Sequence, residues 1–305
     1  MRIAIPLTVL ATAFACSVAS APANARARVF VASYGNDANP CTFLSPCRNF
    51  QQAVNVVDAG GEVTAIDSAG FGPILITKAV AITSPNGVEA GIVPVSGGNS
   101  ITINAGPFDA ITLSGLVVDG AGIGANGVVF GSGGYLIMQD CIIRNMTGDG
   151  IHFVSNFISH LSVTNTFVGN NLGHGILVQP VGSASVTAVF ERVRTQYNSS
   201  LHPSFGIALD GHGTAGSITG TATDTVSSDN EGGFFAGENA NMLVVRSVVA
   251  NNGIGALSSS GSVIFAQSTI NNNVSACSGS TLTYGDNYVL NSHVDGCATP
   301  PFLKE

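Results

Sequence analysis

The chain has 305 residues, a formal net charge of −8 and only 9% charged residues, with 38 glycines and no tryptophan. Lys78 and Lys304 are its only lysines. Phosphate binding needs clustered basic side chains, so the composition argues against a nucleic-acid partner. Beyond the N-terminus the apolar residues occur in short runs, which argues against a membrane span and favours many short strands.

The N-terminal segment has the pattern of a secretory signal peptide, which we predict over residues 1–25. A positive charge near the start precedes an apolar run over residues 3–18, and residues 23–25 (Ala-Asn-Ala) fit a small-x-small cleavage pattern. Residues 19–21 are a second possible cleavage site, and an uncleaved anchor is the alternative. We therefore expect a secreted or periplasmic protein whose mature part is one domain, residues 26–305.

Residues 28–61 are predicted to form an N-terminal cap on this domain, beginning with a strand at residues 29–33. Ser45 is the predicted N-cap of a helix over residues 47–58, and Pro46 is its predicted first helical position. The apolar residues on one face of that helix are Phe50, Ala53, Val54 and Val57. A helix laid across the open first turn would block edge-to-edge association.

Short strands and a glycine-based repeat follow the cap. The first predicted strands are residues 62–66, 74–77, 79–83, 100–104 and 110–118. A glycine followed by apolar residues then recurs every 22 to 31 residues, at Gly127, Gly150, Gly175, Gly206, Gly233 and Gly255. A second strand is predicted in most of these units, at residues 135–141, 161–167, 186–193, 243–249 and 263–270.

Asparagine or aspartate precedes the next glycine in each unit, for example at Asn171, Asn198 and Asn230. One unit cannot bury its own inward face, but stacked units can. Stacking places equivalent residues about 4.8 Å apart, so these asparagines can hydrogen-bond to one another and can adopt a left-handed backbone. The sequence therefore predicts a solenoid, with coils over residues 62–276 and a C-terminal cap over residues 277–305.

The Gly-x-Gly-Ile and Asn-Asn pattern resembles the repeats of the pectate-lyase-like right-handed β-helix superfamily. Residues 35–41 (Gly-Asn-Asp-Ala-Asn-Pro-Cys) and the helix after them resemble the N-terminal cap of its secreted bacterial members. The resemblance implies an all-β fold, a right-handed parallel β-helix (solenoid) with a short N-terminal capping helix. It does not imply one activity, because the superfamily contains lyases, hydrolases, esterases, epimerases, phage tail fibres and adhesins.

Five cysteines remain after the predicted cleavage. We predict one disulfide between Cys41 and Cys47 and another between Cys277 and Cys297, each closing one end of the structure. The alternative, a metal site, needs more ligands than either pair has nearby, so no metal site is predicted. Cys141 lies in an apolar strand pattern and is expected to be a buried small hydrophobe.

The first candidate catalytic residues are Asp210, His212 and Asp224. Gly211-His212-Gly213 resembles the Gly-His-Gly motif of the polygalacturonase branch, although the chain lacks the Asn-Thr-Asp, Asp-Asp and Arg-Ile-Lys motifs of that branch. Inverting glycoside hydrolysis needs two carboxylates, which Asp210 and Asp224 would supply if the solenoid brings them close. The alternative is that His212 is only a turn residue.

The second candidate set is basic, with Arg192 and Arg194 as catalytic residues and Glu191 and Arg246 as binding residues. Exposed arginines can bind uronate carboxylates bidentately or act in β-elimination. A calcium-dependent lyase needs several carboxylates around the metal, and residues 206–238 are the most acidic stretch of the predicted coils. The alternative is solvated Arg–Glu pairing along a strand face. No cofactor is predicted, except calcium if the protein is a lyase.

The third signal is an insertion, because the unit that starts at Gly175 is the longest and its extra residues are 198–204. Insertions in solenoids often emerge as loops on the binding face. We therefore predict a functional surface over residues 191–212, with Tyr197 and His202 as binding residues. A neutral surface insertion is the alternative.

Two functional hypotheses follow. The first is a secreted β-helix protein without an assigned activity, in a polysaccharide- or cell-surface-associated binding or structural role, and it rests on the missing catalytic motifs. The second is a divergent carbohydrate-active enzyme, a polysaccharide lyase or glycoside hydrolase, and it rests on the fold and on the charged residues of 191–238. A groove in which Asp210, His212, Asp224 and an arginine converge would favour the enzyme. A polysaccharide is the expected partner, and the sequence leaves the oligomeric state open.

Overall fold

The computed structural model describes residues 26–199, 203–293 and 297–298. The predicted signal peptide, residues 1–25, and the candidate binding residue His202 lie outside the described residues. Within the described ranges the chain forms one helix and 31 short strands. In the same ranges, no helix has both the length and the apolar character needed to cross a membrane.

The helix is α1 (Phe50–Val56). The first strands in chain order are β1 (Arg28–Val31), β2 (Gly61–Ala65), β3 (Ala69–Gly70), β4 (Ile74–Ile76), β5 (Val80–Thr83), β6 (Ala90–Ile92), β7 (Ile101–Asn104), β8 (Ala110–Ser114), β9 (Leu116–Asp119) and β10 (Val128–Ser132). The central strands are β11 (Tyr135–Gln139), β12 (Ile142–Arg144), β13 (Ile151–Phe153), β14 (Ser159–Thr164), β15 (Phe167–Gly169), β16 (Ile176–Val178), β17 (Val186–Glu191), β18 (Arg194–Gln196), β19 (Phe205–Leu209), β20 (Ile218–Thr223) and β21 (Val226–Ser228). The last strands are β22 (Gly232–Ala236), β23 (Ala240–Val245), β24 (Val248–Ala250), β25 (Ile254–Ser258), β26 (Ser262–Ala266), β27 (Thr269–Asn271), β28 (Ser275–Ser278), β29 (Thr281–Thr283), β30 (Tyr288–Leu290) and β31 (Cys297–Ala298).

These strands form three parallel sheets that run the length of the solenoid. Sheet I has the order β1-β2-β5-β8-β11-β14-β17-β20-β23-β26-β29-β31, sheet II β3-β6-β9-β12-β15-β18-β21-β24-β27-β30, and sheet III β4-β7-β10-β13-β16-β19-β22-β25-β28. From β2 to β30, successive strands enter sheets I, II and III in turn, and neighbouring strands pair in parallel register. The fold is a right-handed parallel β-helix with a short N-terminal helix, so the predicted fold class is confirmed.

Inward-facing side chains of all three sheets fill one continuous core. Strand β14 shows the required alternation, because Ser159, Leu161 and Val163 are buried while the residues between them face outward. Phe130 and Phe153 stack on successive turns with ring centroids 4.2 Å apart. Burying one such side chain contributes about 1.5–3 kcal/mol, so repetition along the axis stabilises turns that are individually too small to fold.

The predicted asparagine stacking is confirmed between sheets II and III. Each ladder asparagine after the first accepts, through Oδ1, hydrogen bonds from the backbone N–H and the side-chain amide of the asparagine one turn earlier, at 2.9–3.4 Å. The ladder residues are Asn171, Asn198, Asn230, Asn252 and Asn273, all buried. Met146 N–H donates to the first of them, and the N–H of the last donates to Ser292. These bonds satisfy polar groups that the corner would otherwise bury without partners.

The second strands of the repeat units are shorter than predicted, because each predicted strand crosses a corner between sheets I and II. Residues 110–118, predicted as one strand, form β8 and β9, and Gly115 between them has a φ of +70°. In later turns the corner is occupied by a non-glycine residue with φ between 46° and 57°: Asp140, Asn165, Arg192, Asp224, Arg246 and Gln267. Such a corner is not recognisable in the sequence, because the strands before and after it both bury apolar residues and together read as one apolar run.

The capping helix also begins later than predicted, since its N-cap is Asn49 rather than Ser45. Cys47 donates its N–H to Phe30 and accepts a bond from Ala32 N–H, which holds it in an extended ladder beside β1. One carboxylate oxygen of Asp37 then accepts from the N–H groups of residues 48 and 49. These tertiary bonds keep residues 45–49 out of the helix.

Both predicted disulfides are present, Cys41–Cys47 and Cys277–Cys297. Cys141 is buried and unpaired, as predicted, and burial raises the pKa of its thiol to about 11. Among the described residues, no group of three or more His, Cys, Asp or Glu side chains could hold a metal ion.

Candidate functional site

The structure divides the predicted site residues among different edges of the solenoid. Glu191, Arg192, Asp224 and Arg246 lie at the corner between sheets I and II, on the outer surface. Arg246 donates from Nε and Nη2 to the two carboxylate oxygens of Asp224, each at 3.0 Å, and Arg192 pairs with Glu191. The hydrogen bonds from Arg246 lower the pKa of the Asp224 carboxyl. This corner is a row of solvent-exposed ion pairs, as in the alternative of solvated Arg–Glu pairing.

Arg194 and Tyr197 lie one strand further along the chain. Arg194 faces outward on β18 of sheet II, next to Phe167 on one side and Val226 on the other. Tyr197 occupies the corner after this strand, with φ 56° and an exposed side chain. Neither residue is near the end of β19, where Asp210 lies.

Asp210 and His212 follow sheet III instead. The carboxylate of Asp210 accepts hydrogen bonds from Gln179 Nε2 at 2.9 Å and from His212 N–H at 3.0 Å. The His212 ring is exposed, with Nδ1 3.6 Å from a carboxylate oxygen of Glu238. The six-residue strand β20 separates this region from Asp224, and six extended residues span about 20 Å. That exceeds the separation of about 6.5–9.5 Å used by inverting glycosidases, so Asp210, His212, Asp224 and an arginine do not converge.

An apolar cleft lies on the outer face of sheet III. Outward-facing side chains on four consecutive strands stack in register: Leu177, Ala208, Phe235 and Leu257. Phe205, at the start of β19, packs on this row with its ring centroid 5.0 Å from that of Phe235. These residues form an apolar cluster separate from the core. An outer sheet face normally carries polar side chains, so this row is a local exception.

The cleft consists of two adjoining cavities of about 410 and 310 Å³. Pro203, Phe205 and Leu257 line both cavities, which makes them parts of one depression. Gly232 opposite Phe205 leaves room for the aromatic ring, because a Cβ there would lie 2.2 Å from two ring carbons. Phe205 is buried beneath the cleft while Phe235 is half-buried, so Phe235 presents the accessible ring.

Polar groups surround this apolar floor. His174 and Asp210 line the larger cavity and Glu231 lines the smaller one. The His174 ring accepts a hydrogen bond at Nδ1 from the backbone N–H of Phe205, at 3.1 Å. The backbone N–H of His174 donates to the Asp149 carboxylate at 2.7 Å. The cleft joins a hydrophobic platform to carboxylates and an imidazole.

Burial determines the charge of the imidazole. Desolvation lowers the pKa of His174, and it outweighs the opposing attraction of the Asp149, Asp210 and Glu231 carboxylates. The neutral ring accepts at Nδ1, so its proton is on Nε2. Three carboxylates thus influence one neutral histidine, and no lysine or arginine lines the described part of the cleft.

Another cavity, of about 720 Å³, lies on the outer face of sheet II. Its central charged groups are already paired, because Arg144 Nε donates to Asp119 at 2.9 Å and Asn145 donates to the other oxygen of the same carboxylate. No aromatic side chain is among its described lining residues. We therefore take the cleft on sheet III as the candidate site.

Most residues of this cleft were not predicted from the sequence. Of the predicted site residues that the structure describes, only Asp210 lines the cleft, although Phe205 and Pro203 fall within the predicted surface of residues 191–212. One signal was present, because β19 and β16 read as continuous apolar runs, which indicates burial on both faces of a strand. The partners on neighbouring turns, Phe235 and Leu257, could not be found without the register.

Known structures share this fold. The crystal structure of the pectate lyase Pel9A superposes with a TM-score of 0.64 and 16% sequence identity, covering 90% of this chain and 78% of that chain. XylC in complex with xylose gives a TM-score of 0.50 at 10% identity, covering 81% and 69%. Tailspike protein 2 from Escherichia coli O157:H7 bacteriophage CAB120 gives 0.52 at 8% identity, covering 80% and 44%. No protein-family model and no curated protein matches the sequence. These similarities show the fold, a right-handed parallel β-helix.

Proposed function

We propose that this is a secreted or periplasmic polysaccharide-binding protein, and that the cleft on sheet III is its binding site. The observation that carries the proposal is the half-buried ring of Phe235 in an apolar depression bordered by carboxylates. A sugar ring has an apolar C–H face and a polar hydroxyl edge. Phe235 suits the first, and Asp210 and Glu231 can accept hydrogen bonds from the second.

The geometry of the solenoid suits a linear polymer. The cleft extends across β16, β19, β22 and β25, so successive sugar units could lie along the axis and contact successive turns. Several weak contacts in a row give useful affinity without a deep pocket. Known proteins of the same fold include the pectate lyase Pel9A and XylC in complex with xylose, which is consistent with a carbohydrate ligand.

The two disulfides are compatible with the proposed location, since such bonds persist in oxidising compartments. The signal peptide predicted over residues 1–25 would direct the chain there. Sequencing the N-terminus of protein recovered from the periplasm or the medium tests this part of the proposal.

The test of binding is retention of the purified protein on a panel of immobilised polysaccharides, comparing Phe235→Ala with Phe108→Ala. Phe108 is an exposed phenylalanine in the turn before β8, so its removal is the matched control. We expect Phe235→Ala to weaken binding about tenfold, corresponding to about 1.4 kcal/mol, and Phe108→Ala to leave it unchanged. Equal binding by both variants would show that the cleft is not the site.

The second candidate function, a polysaccharide lyase or glycoside hydrolase, is favoured by one observation, the presence of both Asp210 and Glu231 along one cleft. The same panel, with and without calcium, is assayed for unsaturated products and for new reducing ends. Reducing ends that disappear in Asp210→Asn would support a hydrolase acting in the cleft. Unsaturated products would direct attention to Arg192, Arg194 and Arg246 at the other corner.

A further inference from the structure

The charges of the solenoid are distributed unevenly around its axis. The arginines of the coils, Arg144, Arg192, Arg194 and Arg246, belong to sheet II or to the corner between sheets I and II. The described strands of sheet III contain no lysine or arginine. Among the described residues that line the cleft, those with a formal charge are Asp210 and Glu231, and both are acidic.

Three carboxylates beside the cleft lie close to the same histidine ring. Asp149, Asp210 and Glu231 are all close enough to affect the titration of the half-buried His174 ring. Gln179 donates to Asp210 and the backbone N–H of Ser204 donates to Glu231, so both of these donors are neutral. The Asp149 carboxylate lies 3.3 Å from Nδ1 of the His152 ring. Hydrogen bonds from neutral donors hold a carboxylate in place without cancelling its charge.

A ligand that enters the cleft meets this negative potential in a partly desolvated place, where charge interactions are stronger than in water. A polymer of sugar acids would bring like charges against the three carboxylates and would be repelled. A polymer with protonated amino groups would place an ammonium near the carboxylates while its ring face lies on Phe235.

We propose that the ligand of the sheet III cleft is a polysaccharide built from amino sugars with free amines, which contacts the apolar floor with its rings and the acidic rim with its ammonium groups. This inference rests on the proposed binding function and specifies its ligand class. It also separates the cleft from the corner between sheets I and II, where Arg192 and Arg246 are already paired with carboxylates.

The experiment uses two oligosaccharides of the same length, a chitosan oligomer with protonated free amines and its fully N-acetylated counterpart, whose acetamide groups are neutral. Affinities are measured by calorimetry at about pH 6, where the carboxylates are ionised. We expect the free-amine oligomer to bind about tenfold more tightly, and the difference to shrink when salt is raised to about 1 M, since salt screens exposed charges. Asp210→Asn and Glu231→Gln should each reduce the preference about threefold. Asp58→Asn, which removes an exposed carboxylate in the N-terminal cap, should leave it unchanged.

The outcomes distinguish the two proposals. Equal binding of both oligomers, or tighter binding of a polygalacturonate oligomer, with affinity that Phe235→Ala still reduces, would overturn the amino-sugar inference and leave the binding cleft standing. Binding that Phe235→Ala does not change would overturn the cleft itself, and the inference with it.

Discussion

Removing one member of the asparagine ladder should destabilise the protein strongly, and Asn230 is the most informative position. Its Oδ1 accepts two hydrogen bonds from Asn198, each at 3.0 Å. Its Nδ2 donates to Asn252 at 3.3 Å, to Ser227 at 3.2 Å and to the carbonyl of Thr195 at 3.3 Å. All of these bonds lie inside the solenoid, out of reach of solvent.

The magnitude follows from the groups that Asn230→Ala would leave unpaired. The backbone N–H of Asn198 loses its acceptor, and one hydrogen of its amide does too, since the other bonds to Val168. A buried donor without a partner costs about 1–3 kcal/mol, so two cost about 2–6 kcal/mol. We expect a loss of about 4 kcal/mol, a large part of the usual stability of about 5–15 kcal/mol.

The assay is equilibrium unfolding in guanidinium chloride, where the variant should shift the midpoint to lower denaturant with little change in slope. Asn241→Ala is the matched control, because that side chain is exposed and bonds only to Ser262 on the next turn, at 2.6 Å. It should change stability by less than about 0.5 kcal/mol. A loss below about 1 kcal/mol for Asn230→Ala would refute the reasoning, since it would mean that the ladder bonds contribute little to stability.

Three further predictions concern other buried positions. Gly206→Ala should cost about 1–3 kcal/mol in the same unfolding assay, because its Cβ would lie 2.2 Å from the Ser227 hydroxyl; unchanged stability would contradict this packing. His174 has a pKa below its ordinary 6.5, so its contribution to stability is complete above about pH 6.5 and is lost as pH falls through the folded-state value. Unfolding measured from about pH 7.5 to 5 should therefore be steeper for the natural protein than for His174→Gln, and parallel curves would count against a buried neutral imidazole. Cys141 should resist thiol reagents until denaturant unfolds the chain, since its thiol is buried with a pKa of about 11; modification in the folded protein, located by mass spectrometry, would contradict this.

The two charged regions of the solenoid suit different chemistries. At the corner between sheets I and II, Asp224 and Arg246 neutralise each other in solvent, where such pairs are worth little. In the cleft, Asp210 and Glu231 lie beside an apolar floor without an arginine or lysine among its described lining residues. The sequence analysis placed candidate residues among the arginines, which are at this corner or on sheet II. The geometry instead favours the cleft on sheet III, because its carboxylates lie beside an apolar floor.

The repeat could be predicted from the sequence because its signals are local. In the repeat units, a glycine lies at or just before the start of the sheet III strand and an asparagine precedes that glycine, for example Asn198 and Gly206 or Asn230 and Gly233. Stacking makes these positions equivalent from one turn to the next. The disulfides were predicted because each pair of cysteines lies near one end of the chain. The prediction that the helix starts at Ser45 was wrong. The backbone N–H groups of residues 47–49 donate to Phe30 and Asp37, and these bonds outside the helix hold residues 47–49 extended.

A β-helix with stacked asparagines could be predicted without coordinates, because periodicity and turn chemistry repeat within about one turn of chain. Which side chains meet across turns could not, since that depends on the register between strands. Leu177, Phe235 and Leu257 are 58 and 22 residues apart in sequence yet form one surface, because parallel register brings them together. The strand β20 likewise keeps Asp210 and Asp224 apart, although they are separated by only 14 residues. The distance in space between two residues of a solenoid depends on strand direction and register, and the number of residues between them gives neither.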